Sequence, residues 1–250
     1  MNEFYRTKGI IIGKRDFLEA DKILTVFTED FGKISVKAKG IKKIKAKLAG
    51  HLEMFNCVDL ELIKGRSHYV VVGAQAIKTF ENIKKDFDRT SAFYYTTEIL
   101  AKILAENAPQ TNLFHFLLAI FSRLEEKNDK IFLLILFFEL NVLDFLGFKP
   151  ELMVCVGCRE NIYGHTFFFS DERGGILCET CQNSDIFSTT ISQNALKLMR
   201  LLVSKDFSFI EKIKIRSDIT NEVKNINGFF LEHILGRKLR SADFVTIKQI

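Results

Sequence analysis

Four of the five cysteines fall in two Cys-x-x-Cys pairs, Cys155-Val156-Gly157-Cys158 and Cys178-Glu179-Thr180-Cys181, with nineteen residues (159–177) between them. Two turn-forming knuckles at that spacing can close four thiolates tetrahedrally around Zn²⁺, the geometry of a structural site with no position left open for water. The competing readings are four buried thiols, a redox pair, and a site in which His165, between the knuckles, replaces one cysteine. The four-thiolate set, Cys155, Cys158, Cys178 and Cys181, is the one the spacing favours. Cys57 falls in an expected strand and reads as a small core hydrophobe.

Charge is the second chemical signal. The formal net charge is +5, and residues 1–80 hold 15 basic against 9 acidic residues, so this N-terminal stretch carries +6 and the remainder −1. Lys33, Lys37, Lys39, Lys42, Lys43, Lys45 and Lys47 occur with no acidic residue between Asp30 and Glu53. A solvated loop is one reading. The other is an edge that contacts a polyanion, since lysines that neutralise phosphates release counterions and bind without regard to sequence.

Signatures of catalysis are missing. There is no Walker loop, no Rossmann glycine pattern, no His-Glu-x-x-His and no Gly-x-Ser-x-Gly. The five histidines are scattered, and Asp16/Glu19 and Glu125/Glu126 read as solvated turn and helix-face carboxylates. A non-enzymatic protein is the expectation. The longest apolar run, residues 131–138, falls short of the roughly 20 residues a bilayer needs, and no secretory signal is visible. A cytoplasmic protein is the expectation, in which a reducing environment favours metal over disulfide.

These groups must be held by a scaffold. Short extended segments at residues 9–13 and 22–28 precede residues 33–39, where Ile34, Val36 and Ala38 alternate with lysines and Ser35 at the period of a half-buried strand. Further strands at 53–63 and 68–77 make five in about 80 residues, which suggests a small barrel of the OB type, with an SH3-like barrel as rival. Helical periodicity follows. One helix carries Ile99, Leu100, Ile103 and Leu104, and a second carries Leu113, Phe116, Leu117, Ile120, Phe121 and Leu124, capped by Thr111 or Asn112. Residues 131–145, capped by Asn128 or Asp129, are apolar nearly all round and read as a central buried helix. Ser192 caps another, and a last helix from about 218 to 235 ends at Gly236. The fold class is α+β and multi-domain: an OB-type barrel at 1–80, an α-helical domain at 81–150 and 187–250, and an inserted four-cysteine zinc module at 151–186. Twenty-five Phe with no Trp supply the aromatic filling.

In that order, several modest motifs resemble the bacterial RecO family of recombination mediators. They are the stretch from Glu19-Ala20-Asp21-Lys22 to Thr28, Lys39-Gly40, Leu146-Gly147-Phe148-Lys149-Pro150 before the first knuckle, Gly174-Gly175-Ile176-Leu177 before the second, and Leu235-Gly236-Arg237-Lys238. The resemblance spans nearly the whole chain. It implies binding of single- and double-stranded DNA and annealing of complementary strands without nucleotide hydrolysis. It also implies engagement of the C-terminal tail of single-strand binding protein, action with RecR in loading RecA, and RecF as a further candidate partner. It carries the structural metal role to the four cysteines and DNA contact to the lysine run. A zinc-ribbon RNA-binding or transcription-associated factor is the alternative. A zinc hydrolase fits less well, because four thiolates leave no vacant position.

Overall fold

The alternation after Gly32 is realised as a strand. In the computed structural model, which describes residues 3–65, 67–126, 130–163, 166–203 and 206–245, the chain opens with β1 (Phe4–Phe17), β2 (Asp21–Thr28), β3 (Gly32–Ala38), β4 (Cys57–Lys64) and β5 (Tyr69–Lys78). Ile34, Val36 and Ala38 are buried while Lys33, Ser35 and Lys37 are only partly covered, because successive side chains of a strand point to opposite faces. The strands close into a barrel in the order β1-β2-β3-β5-β4. β1 pairs back onto β4, and a short parallel contact sets Val36 opposite Tyr69. This is the OB order and not that of the SH3-like rival. A register shift between Ile11 and Gly13 bends β1 so that it serves two neighbours. The interior is filled by Leu24, Val26, Leu52, Leu60 and Leu62, each fully buried, at about 1.5–3 kcal/mol of transfer free energy apiece.

The strand expected at 53–63 begins later, at Cys57. Phe55 takes a left-handed φ of 78°, and the Asn56 side-chain amide donates to the carbonyls of Gly50 (3.1 Å) and His51 (3.0 Å), which holds these residues in a turn.

Three helices follow: α1 (Glu81–Lys85), α2 (Phe87–Ile103) and α3 (Thr111–Glu125). They pack on the barrel through phenylalanines. Phe27 meets Phe114 with ring centres 5.8 Å apart, Phe55 meets Phe93 at 4.0 Å, and Phe93 stacks on Phe121 at 3.9 Å. The abundant Phe thus builds a seam between sheet and helices, where ring pairs add to area burial. At Gly32, φ is 66° and a Cβ would lie 2.0 Å from the Ala108 carbonyl oxygen, so only glycine lets the α2–α3 connection pass this close. The Asn107 amide then donates to the Lys33 carbonyl at 2.9 Å. Met1–Asn128 accordingly forms one compact unit and Asp129–Ile250 a second, so residue 80 marks the end of the barrel rather than of the first unit. The expected cap of α3 is not made. Its N-cap position is Gln110, without a side-chain bond, and the Thr111 hydroxyl donates instead to the Glu29 carbonyl at 3.2 Å.

The second unit contains α4 (Ile131–Phe145), β6 (Phe167–Ser170), β7 (Gly175–Leu177), α5 (Glu179–Gln182), β8 (Thr189–Ile191), α6 (Gln193–Leu202), α7 (Phe207–Ile210) and α8 (Ser217–Leu235). α4 is buried from Leu133 to Leu143, as its all-round apolar sequence requires. Its expected caps, Asn128 and Asp129, lie outside the described residues. The Ser192 hydroxyl accepts from the Ala195 amide at 3.1 Å at the start of α6, and Gly236 ends α8 with φ 64°. β7, β6 and β8 form a small sheet in that order, which packs on α8 where Phe169 meets Phe230 at 5.4 Å. Among the described residues no helix is long and apolar enough to cross a membrane.

Candidate metal centre and nucleic-acid interface

The sulfur atoms of Cys155, Cys158, Cys178 and Cys181 all lie within 4.8 Å of one another. Those of Cys158 and Cys178 are 4.0 Å apart. Metal–sulfur bonds of about 2.3 Å in a tetrahedron give sulfur–sulfur edges of about 3.8 Å. The thiols are therefore already gathered at close to ligand spacing.

Backbone geometry explains why. The first knuckle hangs from β7: the Val156 amide donates to the Ile176 carbonyl at 2.8 Å, and the Ile176 amide to the Glu151 carbonyl at 2.9 Å. The Arg159 amide returns to the Cys155 carbonyl at 2.8 Å, with Arg159 itself at φ 65°. The second knuckle starts where β7 ends, and the Gln182 amide donates to the Cys178 carbonyl at 3.0 Å. The amides of Gly157 and Cys178 each donate to the Cys155 sulfur at 3.4 Å.

Electrostatics fit the same purpose. Burial alone would raise the Cys155 thiol, but amide donors from Cys158, Cys178 and Gly157 outweigh it and bring it down to about 6. Hydrogen bonding to Cys178, then burial, pushes Cys181 up to about 12. Four adjacent thiols cannot all ionise without a cation among them, and a thiophilic divalent ion supplies that charge. Cys155, Cys158, Cys178 and Cys181 are thus positioned to bind a metal ion. His165 lies outside the described residues. Cys57 sits apart in β4, 2% exposed, its thiol pushed up to about 11 by burial.

The seven lysines divide into two groups. Lys33 donates to the Ala101 carbonyl at 2.8 Å, and burial holds its ammonium below the ordinary value. Lys37 pairs with Asp21 at 3.0 Å and lies 4.7 Å over the Phe17 ring. Lys42 pairs with Asp16 at 3.1 Å on the surface. Lys39, Lys43, Lys45 and Lys47 are exposed, with no carboxylate within ion-pair distance among the described residues. Chain turns carry them outward: the Lys43 amide donates to the Gly40 carbonyl at 3.1 Å and the Ala46 amide to the Lys43 carbonyl at 2.9 Å. Asp21 anchors the base of this loop through the Gly40 amide, at 2.8 Å. Sequence reasoning gave Asp16 and Asp21 no part in it. A pairing partner across a hairpin leaves no local pattern.

The Glu125 carboxylate, expected on a solvated helix face, accepts from the Asn82 and Ile83 amides at 3.0 and 3.1 Å.

The family description "Recombination protein O N terminal" matches residues 1–80, and "Recombination protein O C terminal" matches residues 84–243. This chain belongs to the RecO family. A DNA repair protein RecO from Dehalococcoides mccartyi is 33% identical over 220 residues, 88% of this chain and 86% of its own length. One from Roseiflexus sp. is 33% identical over 241 residues, covering 96% and 84%. A third, from Alkaliphilus metalliredigens, is 30% identical over 230 residues, covering 92% and 93%. RecO membership places the chain among DNA repair and recombination proteins.

Proposed function

We propose that this RecO-family chain is a non-enzymatic mediator. It binds single- and double-stranded DNA along the lysine loop and anneals complementary strands. With RecR, and with RecF as a further candidate, it helps load RecA onto DNA coated by single-strand binding protein. The observation that carries this reading is the surface group Lys39, Lys43, Lys45 and Lys47, exposed on one loop of an OB barrel with no carboxylate within ion-pair distance among the described residues. Lys42 joins them by exchanging Asp16 for a phosphate.

Positive charge between two backbones screens their repulsion and lowers the encounter barrier for pairing. Tethering to the coat protein's tail raises the effective concentration of the mediator on coated strands. No bond in DNA or nucleotide is broken. The metal is Zn²⁺, held by the four cysteines, and it supports the fold of the second unit rather than chemistry. Cys155, Cys158, Cys178 and Cys181 hold it against β7, while Arg200 of α6 donates to the Leu152 carbonyl at 2.8 Å and ties that segment to the helices.

Annealing of complementary strands pre-coated with single-strand binding protein, without nucleotide, tests the reading. Annealing with intact coat protein, lost when the coat protein lacks its last residues, is expected. Annealing that is indifferent to the tail overturns the tail-binding part, and a need for ATP hydrolysis by this chain overturns the whole.

A further inference from the structure

Beside the lysine loop the barrel surface opens into a half-covered apolar cavity of about 90 Å³. Ile41, Ala46, Leu48, Leu52 and Val71 line it, together with Lys39 and Lys47. Leu52 is fully buried at its floor, Val71 is 6% exposed, and no acidic side chain lines it. Exposed lysines extend the charge along the loop at Lys42, Lys43 and Lys45.

We propose that this cavity receives one unstacked nucleobase of a single strand, with the flanking phosphates on Lys39 and Lys47. The proposal rests on the reading that the lysine loop binds DNA and adds to it a subsite for the base. The volume is well below the roughly 300 Å³ usual for pockets that enclose a drug-sized ligand, and an open mouth lets a single flat ring enter part-way. Aliphatic walls offer a ring apolar contact without hydrogen-bond readout, so the slot discriminates little between sequences. An apolar peptide terminus would also fit such walls. Two lysines among the lining residues, continued along the loop by three more, favour a ligand that carries more than one negative charge beside its apolar group. A nucleotide within a strand does so, with a phosphate before and after its base, and an acidic peptide end is the rival occupant that the competition below separates from it.

Covering roughly 40 Å² of apolar ring surface corresponds to about five-fold in affinity. Binding of a 20-mer of dT and of an abasic 20-mer is measured across a salt series for the wild-type chain, for Ala46→Leu, which fills the cavity from its loop wall, and for Lys42→Ala/Lys43→Ala/Lys45→Ala. The wild type should prefer dT by about five-fold. Ala46→Leu should abolish that preference and leave both abasic affinity and salt slope unchanged. The lysine variant should flatten the slope for both strands.

An Ala46→Leu protein that still prefers dT, or that loses the two strands equally, overturns the base subsite while leaving the lysine reading intact. A lysine variant with wild-type slope overturns both. If Ala46→Leu weakens only an acidic peptide with an apolar end, added as a competitor, the cavity belongs to a protein tail and the base subsite is wrong. Leu48→Ala, which removes apolar wall, is the second variant and should weaken the dT preference with the salt slope unchanged; a full preference retained there overturns the base subsite.

Discussion

Gly157 and Cys181 approach so closely that a Cβ on the glycine would lie 2.9 Å from both the Cβ and the sulfur of Cys181. The two knuckles close because the first one carries no side chain at that point. Gly157→Ala should therefore push Cys181 out of place and lower metal affinity about ten-fold or more, the scale seen when a supporting residue of a metal site is lost. Competition with a chromophoric chelator reads this directly; unchanged affinity would show that the cluster does not bind metal in this arrangement.

Metal removal has a countable signature. Protein purified without added zinc should contain about one equivalent, and its thiols should react slowly with a disulfide reagent. After chelation four thiols should become reactive, while Cys57, buried and held protonated to about 11, waits for unfolding. The second unit should lose stability and the barrel keep its own. Four freely reactive thiols in the native, unchelated protein would contradict the assignment.

Asp21 organises the base of the lysine loop, and its carboxyl is held below the usual carboxylate range, first by the Gly40 amide and then by Lys37. Because its folded pKa is depressed, the stability it contributes is present above the unfolded value near 3.9 and is lost as pH falls through the folded value. Asp21→Asn should therefore lower the melting temperature at pH 6–7, and the difference should shrink below about pH 4 and vanish in stronger acid. An equal penalty at all pH values would mean that charge is not what the pair uses.

Asp171 carries the opposite sign. Burial raises its carboxyl to about 6, against the pull of His233 and with the push of Asp185. Its ionised form is disfavoured in the fold, so stability declines as pH rises from about 4 to about 6. Asp171→Asn should stabilise the second unit by about 1 kcal/mol at pH 7.5, a figure discounted for its partial exposure, and do nothing near pH 4. Denaturant unfolding at the two pH values separates these outcomes.

The parts of this structure that were legible in the sequence are those set by short-range pattern. Ile34, Val36 and Ala38 announce their strand because period two is a local property, and Ser192 announces α6 because a cap bonds three residues ahead. The cysteine spacing points to the metal cluster for the same reason. Contacts between distant segments left no such trace. Lys33 is one of seven lysines in a run, and nothing local says that its ammonium will be taken by the Ala101 carbonyl, 68 residues on. The Phe seam was visible only as a composition anomaly, since Phe27, Phe93 and Phe114 carry no mark of which ring each will meet. The β7-β6-β8 sheet escaped notice because its strands have only three or four residues, too few to establish a period. The run Phe167-Phe168-Phe169 was its one signal.

Annealing of two complementary strands by the full chain without nucleotide, followed across a salt series in the wild type and in Lys42→Ala/Lys43→Ala/Lys45→Ala, reads most directly whether charge on the barrel loop pairs DNA. With four to five lysines on phosphates, log affinity for a single strand should fall against log salt with a slope of about −3 to −3.5, and the triple variant should flatten it by about 2. Pairing by the wild type should be fast without ATP and fade as salt rises, while the variant should lose most of the acceleration with its metal content unchanged. A variant that anneals as fast as the wild type at every salt concentration, or a wild type that pairs strands only with ATP, would contradict it.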